Sequence, residues 1–323
     1  MGLHFCTLFD SNYLIKGVAM IRSLQANCPL ANIYVLCMDV YSHEVLTSLN
    51  IFNVHLIPLS DIEDDELLRV KKQRGVAEYC WTLSPCLPHY ILEKYKHIDF
   101  ITYLDADLFF YSSLEPIFQE IGNASIVIIE HRFTPRLKDQ EIKGKFCVEW
   151  VSFRRDEEGL ACLKRWREQC IEWCFYRLED GRMGDQKYLD QWPEKYSNCH
   201  ILIHHGAGIA PWNYSQYLIS IDDIGSILIN GAPLIFYHFH QFQILENGQF
   251  NRLSSFYTQE LPEPALIYVP YEIAISETIS QLRSIYPNFL AGFKSTNSIF
   301  VRRLAQKFLP HWVKNFLQKF IRY

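Results

Sequence analysis

The sequence lacks several features that define common classes of protein. It has no glycine-rich phosphate loop of the GxGxxG or GxxxxGK[ST] type, so neither a Rossmann dinucleotide site nor a P-loop is indicated. Its ten cysteines include no CxxC pair, which argues against a zinc ribbon or a thioredoxin-like motif. No apolar run reaches the roughly 18 residues of a membrane-spanning helix, and no signal peptide is predicted. Many cysteines lie inside apolar runs, which favours buried thiols and a reducing, cytoplasmic compartment.

Negative charge is missing from the C-terminal part of the chain. Residues 278–323 contain eight Lys or Arg and no Asp or Glu, which leaves about −13 on the rest of a chain whose net charge is −5. This acidic body argues against general nucleic-acid binding. From Trp312 to Arg322, helical spacing puts aromatic and aliphatic residues on one side and basic residues on the other, as in helices that lie in a lipid interface.

The basic tail at residues 278–323 is therefore predicted to be an amphipathic helical segment that binds an anionic membrane surface. The protein would then be peripheral on the inner face of the membrane. The alternative is a C-terminal helix that docks on the body of the protein, whose acidic surface also attracts basic residues.

Residues 1–277 are predicted to form one domain. Hydrophobic residues make up 49% of the sequence, enough for a sizeable core. Strands are predicted at residues 3–9, 32–38, 54–58 and 100–104, with helices at 13–27, 42–49 and 81–94 between them. Alternation of this kind indicates an α/β fold with a mostly parallel sheet and flanking helices.

Two carboxylates, Asp105 and Asp107, directly follow the predicted strand at 100–104. On an extended backbone, side chains at i and i+2 point the same way, and two like charges side by side are costly unless a cation lies between them. Oxygen ligands suit Mg²⁺ or Mn²⁺, and ligands of open α/β sheets bind at the carboxyl ends of strands. The pair therefore predicts a divalent metal site with room for a nucleoside diphosphate, unless the Asp-x-Asp match is due to chance.

A polar loop at the end of the first strand is a candidate for nucleotide binding. Tyr13 can stack on a base and Asp10 can accept a hydrogen bond from the base or ribose, although Asp10 alternatively only caps the next helix. Because no phosphate loop is present, basic side chains must help to neutralise a diphosphate, and Arg74 is one candidate.

Three later segments contain further candidate site residues. Asp185 begins a predicted helix, where it either caps the helix or orients or deprotonates a sugar hydroxyl. The irregular loop 204–213, with Trp212 and Asn213 near its end, is typical of a pocket lining, although a lone histidine such as His204 is more often structural. A strand that ends in His238 and His240 can chelate a metal, and one His beside two Asp favours Mn²⁺ over Mg²⁺. Alternatively one of these histidines is simply packed in the core.

Four segments together resemble the GT-A fold of nucleotide-sugar glycosyltransferases, especially family-8-like enzymes related to glycogenin. They are FCTLFDSNYLIKGVAMIRSL, ITYLDADLFFYSSLEPIF, GDQKYLDQW and FYHFHQF. Bacterial glycosyltransferases of surface-polysaccharide clusters are the most similar in appearance. The resemblance implies a GT-A domain and transfer of a sugar from a UDP-sugar donor to a glycan or lipid-linked acceptor, with Mn²⁺ as cofactor.

The resemblance also implies roles for particular residues. The uridine contacts are Thr7, Asp10 and Tyr13. The ligands of Mn²⁺ are Asp105, Asp107 and His238. The residues beside the donor sugar are Asp185 and Gln186. Trp212 and Asn213 are assigned to the donor site because Pro-Trp-Asn after small residues is typical of a loop that lines a pocket.

The chain departs from the family pattern at three positions. No Lys-Pro-Trp follows His238, and Ala210 stands before Pro211-Trp212 where the family has a phosphate-contacting lysine, which makes His204 a rival third metal ligand. The strand near residue 150 has Val-Glu-Trp, with Glu149 at its centre, in place of Asn-x-Gly.

Three alternatives to a glycosyltransferase stay open at this point. A nucleotidyltransferase on a related sheet would need a glycine-rich, Arg-containing loop after the first strand, which LFDSNYLIKG is not. A non-catalytic sugar-binding module would not hydrolyse a donor. A metallohydrolase would turn over substrate without any nucleotide-sugar, using the candidate ligands Asp105, His204, His238 and His240.

Overall fold

The computed structural model of the chain describes residues 3–253, residue 257 and residues 262–295. Within them lies a seven-stranded sheet with the order β3-β2-β1-β4-β7-β6-β8. Its strands are β1 (His4–Phe9), β2 (Asn32–Cys37), β3 (Val54–Pro58), β4 (Phe100–Leu104), β6 (Ile126–Glu130), β7 (Phe146–Arg154) and β8 (Cys199–Leu202). Strand β7 is antiparallel to both of its neighbours, and the other pairs are parallel. The predicted α/β fold with a mostly parallel sheet is thus confirmed.

Helices cover both faces of this sheet. They are α1 (Leu14–Asn27), α2 (Val40–Leu49), α3 (Asp65–Lys71), α4 (Val76–Lys94), α5 (Glu115–Ile121), α6 (Glu157–Glu172), α7 (Trp192–Lys195) and α8 (Ala265–Ile285). Buried side chains of α3, α4, α6 and α7 form one apolar layer, and those of α1, α2, α5 and α8 form the other. A sheet buried on both faces explains why its strands are almost continuously apolar rather than alternating.

Among the described residues, short strands after residue 200 belong to three smaller sheets, with the orders β11-β10-β9, β12-β5 and β14-β13-β15. These strands are β9 (Ile219–Ile221), β10 (Ile227–Ile229), β11 (Ala232–Pro233), β12 (Phe236–His238), β13 (Gln243–Leu245), β14 (Phe250–Asn251) and β15 (Phe293–Lys294). Strand β12 pairs antiparallel with β5 (Leu108–Phe110), so that His238 is opposite Leu108. This register brings the end of β12 to the turn that contains the acidic pair.

Two predicted helix boundaries differ from the structure for local reasons. Helix α4 begins five residues before the predicted start, because Glu78 accepts a hydrogen bond from the backbone N–H of Gly75 at the helix N-terminus. Helical spacing predicts a further helix over residues 159–177, whereas α6 ends at Glu172. Arg74 donates to the carbonyls of Cys170 and Ile171 in the last turn, and such free carbonyls need a partner at a helix end.

The predicted boundary between residues 277 and 278 falls inside α8, which runs through it without a break. Thr278 and Leu282, on the far side of this boundary, are buried, and β15 pairs with β13. Residues 278–295 therefore pack on the same body as residues 3–277. The predicted amphipathic helix from Trp312 to Arg322 lies outside the described residues. No helix in the described part of the chain combines the length and apolarity needed to cross a membrane.

Candidate functional site

The acidic pair forms the turn between β4 and β5. The backbone N–H of Asp105 donates to the carbonyl of Glu149 on β7 (3.2 Å), and the Asp105 carbonyl accepts from Leu108 N–H (3.4 Å). The turn is therefore fixed on both sides by the backbone. The Asp107 side chain is almost fully buried, whereas that of Asp105 is partly exposed.

His238, at the end of β12, contacts both aspartates and Glu149. Its Nε2 lies 3.0 Å from Asp107 Oδ1 and 3.8 Å from Asp105 Oδ2, and its Nδ1 lies 2.7 Å from Glu149 Oε2. Glu149 is fully buried, and its second oxygen, Oε1, has no hydrogen-bond partner among the described residues. Three carboxylates thus surround one imidazole.

The two aspartates differ in charge state. Burial raises the pKa of Asp105 to about 7, against the opposing effect of His238. Burial acts in the same direction on Asp107, but the charge and hydrogen bond of His238 outweigh it and hold the pKa of Asp107 well below its usual range. In His238 burial works to lower the pKa, yet Asp107 outweighs it and raises the pKa well above its ordinary value.

These side chains fit a divalent cation. Ligand atoms of Asp107, His238 and His240 lie within 4.8 Å of one another, as do those of Cys147, Glu149 and His238. A hydrogen bond from Nδ1 to a carboxylate is the usual way in which a metal-bound histidine is oriented, and it leaves Nε2 to face the metal. Carboxylate oxygens with one imidazole nitrogen suit Mn²⁺ or Mg²⁺. A cation here would also relieve the repulsion between Asp105 and Asp107.

Sequence reasoning did not assign a role to Glu149. Its sequence signal was a glutamate inside an otherwise apolar strand, where a charge is costly unless it has a partner. The partner is His238, which lies 89 positions further along the chain and becomes visible only in the folded protein.

The loop after β1 brings Asp10 and Tyr13 to the same edge of the sheet. Asp10 accepts hydrogen bonds from the backbone N–H groups of Asn12 (2.9 Å) and Tyr13 (3.3 Å), so its carboxylate shapes the turn before α1. The Tyr13 ring is 42% exposed, and Lys16 Nζ lies 4.6 Å from its centroid. Thr7 is fully buried in β1, and its hydroxyl has no hydrogen-bond partner among the described residues.

Asp185 is a further carboxylate whose charge reaches the acidic pair. It is 5% exposed and hydrogen-bonds to Ser84 on α4, and burial raises its pKa to about 7. Its charge also acts on Asp105. The neighbouring Gln186 turns away, because its Nε2 donates to the carbonyl of Lys143 (3.1 Å).

The loop 204–213 supplies a wall of the site. The Trp212 indole donates to the carbonyl of His131 (2.7 Å), and its ring meets the rings of His238 and His240 edge-on at 5.2 and 5.7 Å. The Asn213 amide donates to the same His131 carbonyl (2.9 Å), so this side chain shapes the loop. Trp212 is therefore positioned to exclude water from His238.

Two candidates from the sequence are engaged elsewhere. His204 Nδ1 accepts from the backbone N–H of Gly206 (3.0 Å), and His204 belongs to neither metal-capable group found among the described residues. Arg74 donates to the Thr82 hydroxyl (2.6 Å) in addition to the α6 carbonyls and stacks on Phe175. Its guanidinium therefore joins α4 to α6.

The architecture can now be compared with solved structures. The chain is similar to an active-site mutant of LgtC, with a TM-score of 0.52 and 13% identity, covering 86% of this chain and 96% of LgtC. It is also similar to the glycosyltransferase GlyE of Streptococcus pneumoniae TIGR4, with a TM-score of 0.50 and 14% identity. That match covers 87% of this chain but only 64% of the length of GlyE. At these identities the similarity shows the fold alone, which is the GT-A fold that the sequence predicted.

Two proteins of Bacillus subtilis (strain 168) are more similar in sequence. YfnD is 33% identical over 293 residues, which is 90% of this chain and 94% of YfnD. YfnF is 32% identical over 298 residues, which is 90% of this chain and 97% of YfnF. The chain belongs to the same family as these two proteins, both of which are named as uncharacterized. No protein-family model matches the chain. The finer resemblance to family-8 enzymes related to glycogenin stays a prediction.

Proposed function

We propose that the chain is a divalent-metal-dependent glycosyltransferase that moves a sugar from a UDP-sugar to a glycan or lipid-linked acceptor. The observation that carries the proposal is the meeting of Asp105, Asp107 and His238 at the carboxyl end of β4. Ligands of open α/β sheets bind at this edge, and the fold is one that glycosyltransferases such as GlyE use.

In this proposal Asp105, Asp107 and His238 hold the cation, which is Mn²⁺ or Mg²⁺. When bound, it acts as a Lewis acid towards the departing diphosphate. Glu149 fixes the ring of His238 through Nδ1. The exposed face of Tyr13 stacks on the uracil, the turn held by Asp10 borders the ribose, and Trp212 keeps water from His238.

Asp185 acts on the sugar in this proposal. A carboxyl with a pKa of about 7 can accept a hydrogen bond or a proton from a hydroxyl near neutral pH. The charge of Asp185 acts on Asp105, which supports a role for Asp185 beside the proposed metal and donor. The Gln186 amide donates to the backbone carbonyl of Lys143. In this proposal Gln186 therefore acts indirectly, by holding that part of the backbone in place.

One observation favours a metallohydrolase as a second candidate. His240 forms a metal-capable group with Asp107 and His238, and burial lowers its pKa to about 3, so it is neutral and can ligate. Turnover of a phosphate or ester substrate by the Mn²⁺-loaded protein without nucleotide-sugar would favour this function. Release of free sugar from a UDP-sugar alone would favour the transferase and would also exclude a non-catalytic sugar-binding module.

A thermal-shift screen across UDP-, GDP- and ADP-sugars, with Mn²⁺ or with EDTA, tests the proposal. A ligand that binds only the folded protein raises its stability in proportion to its affinity. UDP-sugars should raise the melting temperature in Mn²⁺ and have little effect in EDTA. Equal shifts with all three bases would contradict the assigned base site, and equal shifts in EDTA would contradict the metal site.

Attachment to an anionic membrane through the basic tail would suit a lipid-linked acceptor. Liposome flotation tests it in the full-length chain, with Lys314, Lys319 and Arg322 changed together to Gln as the variant. About 1 kcal/mol per basic residue near an anionic leaflet predicts that the wild type floats and the variant does so much less. A wild-type protein that stays in solution would contradict membrane binding.

A further inference from the structure

With a nucleoside diphosphate bound, the candidate site would have more negative charge than one divalent cation can balance. Four carboxylates lie in or beside it, those of Asp105, Asp107, Glu149 and Asp185. A nucleoside diphosphate would bring roughly two to three further charges. Arg74 is bound to α6, and Ala210 stands where the resemblance implies a lysine. Positive charge for the diphosphate must therefore come from elsewhere in the fold.

Lys16 is a mostly buried lysine for which the described part of the chain offers no hydrogen-bond acceptor. It lies in the first turn of α1, is 8% exposed, and its ammonium rests against the Tyr13 ring. Among the described residues, its ammonium makes no hydrogen bond and has no carboxylate oxygen within 4.0 Å. Lysines are almost never buried so deeply without a partner. A missing partner at this position indicates an anionic ligand.

Lys16 also lies near the metal-capable group that contains Asp107 and His240. The charge of Lys16 acts on both Asp107 and His240, which places its ammonium on the Asp107 side of the site. Helix α1 has no side-chain cap and no acidic residue in its first turn. The positive end of its dipole is therefore not compensated by a residue of the helix itself, and the carboxylate nearest in sequence, Asp10, binds the N–H groups of the preceding turn.

Lys294 approaches from the segment that follows α8. Strand β15 is fixed to β13, with the Lys294 carbonyl accepting from Glu246 N–H (3.1 Å). Two residues earlier, Gly292 has φ +85° and packs so closely on the loop before α1 that a Cβ there would lie 2.6 Å from the Asn12 carbonyl oxygen. Burial lowers the pKa of Lys16, the charge of Asp107 opposes this effect, and the charge of Lys294 lowers the pKa further. The like charges of these two lysines oppose each other, and an anion between them would relieve that repulsion.

We propose that Lys16 and Lys294 form a lysine clamp that binds the diphosphate of the donor, with Lys16 as the inner and Lys294 as the outer cation. The clamp rests on the proposed function, because a nucleoside diphosphate is its ligand. In this proposal residues 286–295 contribute to donor binding, because they position Lys294 beside the loop that contains Tyr13.

Calorimetry in Mn²⁺ with UDP, uridine and inorganic pyrophosphate tests the clamp. The variants are Lys16→Met, Lys16→Arg and Lys294→Met, with Lys96→Met as control, because Lys96 is 68% exposed and paired with Glu93. Loss of a charge-assisted contact should weaken UDP and pyrophosphate about 10- to 100-fold in Lys16→Met, and less in the exposed Lys294→Met. Lys16→Arg should keep most of the affinity. Uridine binding should not change in any variant.

Direct Mn²⁺ binding to the nucleotide-free protein separates the clamp from damage to the site. Lys16 repels a cation, so Lys16→Met should bind Mn²⁺ at least as tightly as the wild type, whereas a distorted site would bind it more weakly. Wild-type affinity of Lys16→Met for pyrophosphate would overturn the clamp. So would loss of uridine together with UDP, or a wild type that binds neither anion. A wild type that binds pyrophosphate but not UDP would leave the clamp standing and contradict the proposed donor.

Discussion

Asp107 and Asp185 are each 5% exposed, yet these two carboxylates lie in opposite electrostatic surroundings. Asp107 faces His238 and Lys16, and the cationic His238 holds its pKa well below the usual range in spite of burial. Asp185 has the Ser84 hydroxyl and backbone groups as partners, and burial raises its pKa to about 7. Equal burial is thus accompanied by opposite pKa shifts, because the neighbouring groups, rather than the extent of burial, decide the charge of each carboxyl group.

The difference in pKa suggests different roles for Asp107 and Asp185 in the proposed reaction. A carboxylate that stays ionised at every physiological pH suits the binding of a cation. A carboxyl that titrates near neutrality suits hydrogen bonding to, or proton exchange with, a sugar hydroxyl. The predictions below follow from this division.

The largest effect is expected from Asp107→Asn. Asparagine keeps the shape of the side chain but removes the charge that faces His238, so Mn²⁺ affinity should fall about 100-fold or more and sugar transfer should be lost with it. Titration with Mn²⁺, followed by electron paramagnetic resonance, measures the affinity, and circular dichroism checks the fold. The exposed Asp139 gives the matched control Asp139→Asn, which should behave as the wild type. Wild-type Mn²⁺ affinity in Asp107→Asn would mean that the cation binds elsewhere.

Glu149→Gln should weaken Mn²⁺ binding less than Asp107→Asn does. The amide oxygen can still accept from His238 Nδ1, but the loss of charge should weaken Mn²⁺ binding about 10-fold. Thermal unfolding distinguishes this role from a structural one. In EDTA the variant should be about as stable as the wild type, because a buried charge has been removed, and in Mn²⁺ it should gain less stability. A variant that is destabilised equally in EDTA and Mn²⁺ would show that Glu149 only supports the fold.

The first half of the fold was predictable from sequence because its elements are locally encoded. Strands such as β3 and β4 are short, mostly apolar runs, and both were predicted with the bounds that the structure has. The acidic pair was also visible, since two carboxylates after a buried strand are unusual in a chain. Such features depend on a few neighbouring residues and on the period of the strand.

The rest of the site depends on pairings across the chain, which local patterns do not contain. Strand β12 has three residues, and its place beside β5 is set by a partner more than 120 positions earlier. Arg74 was a candidate for phosphate binding because it is a cation in the right region, but its partners are carbonyls at the end of a helix almost 100 residues away. Lys16 was passed over because it lies in an apolar helix, and its lack of an acceptor appears only after folding.

Asp185→Asn should change stability in a pH-dependent way. The pKa of Asp185 is about 7 in the folded protein and 3.8 ordinarily, so the folded state binds a proton that the unfolded chain has lost between these values. The free energy of unfolding of the wild type therefore falls as pH rises from about 4 to about 7. Asparagine does not titrate, so the variant should be more stable than the wild type by roughly 2–4 kcal/mol at pH 8 and nearly equal at pH 4.

Urea unfolding in EDTA at both pH values measures this effect. The control is Asp156→Asn, at the cap of α6, where the carboxylate accepts from Gly159 N–H (2.8 Å) and the Ser125 hydroxyl (2.6 Å). Because asparagine caps a helix about as well as aspartate, that variant should differ from the wild type by less than about 1 kcal/mol at both pH values. If Asp185→Asn were the less stable protein at pH 8, Asp185 would be an ionised and well-paired carboxylate, and the contrast with Asp107 would fail.

The smallest effect is expected from Ser84→Ala. The Ser84 hydroxyl stabilises the ionised form of Asp185, so its removal should raise the pKa of Asp185 further. If the carboxylate form of Asp185 is needed for transfer, the acid limb of the pH–rate profile should move upward by about half a pH unit to one pH unit. The same profile in Ser112→Ala should be unchanged, because that hydroxyl donates to the Leu234 carbonyl (2.8 Å). If the acid limb did not move in Ser84→Ala, the limb would report the titration of a group other than Asp185. Asp105, whose pKa is also about 7, would then be the titrating carboxyl.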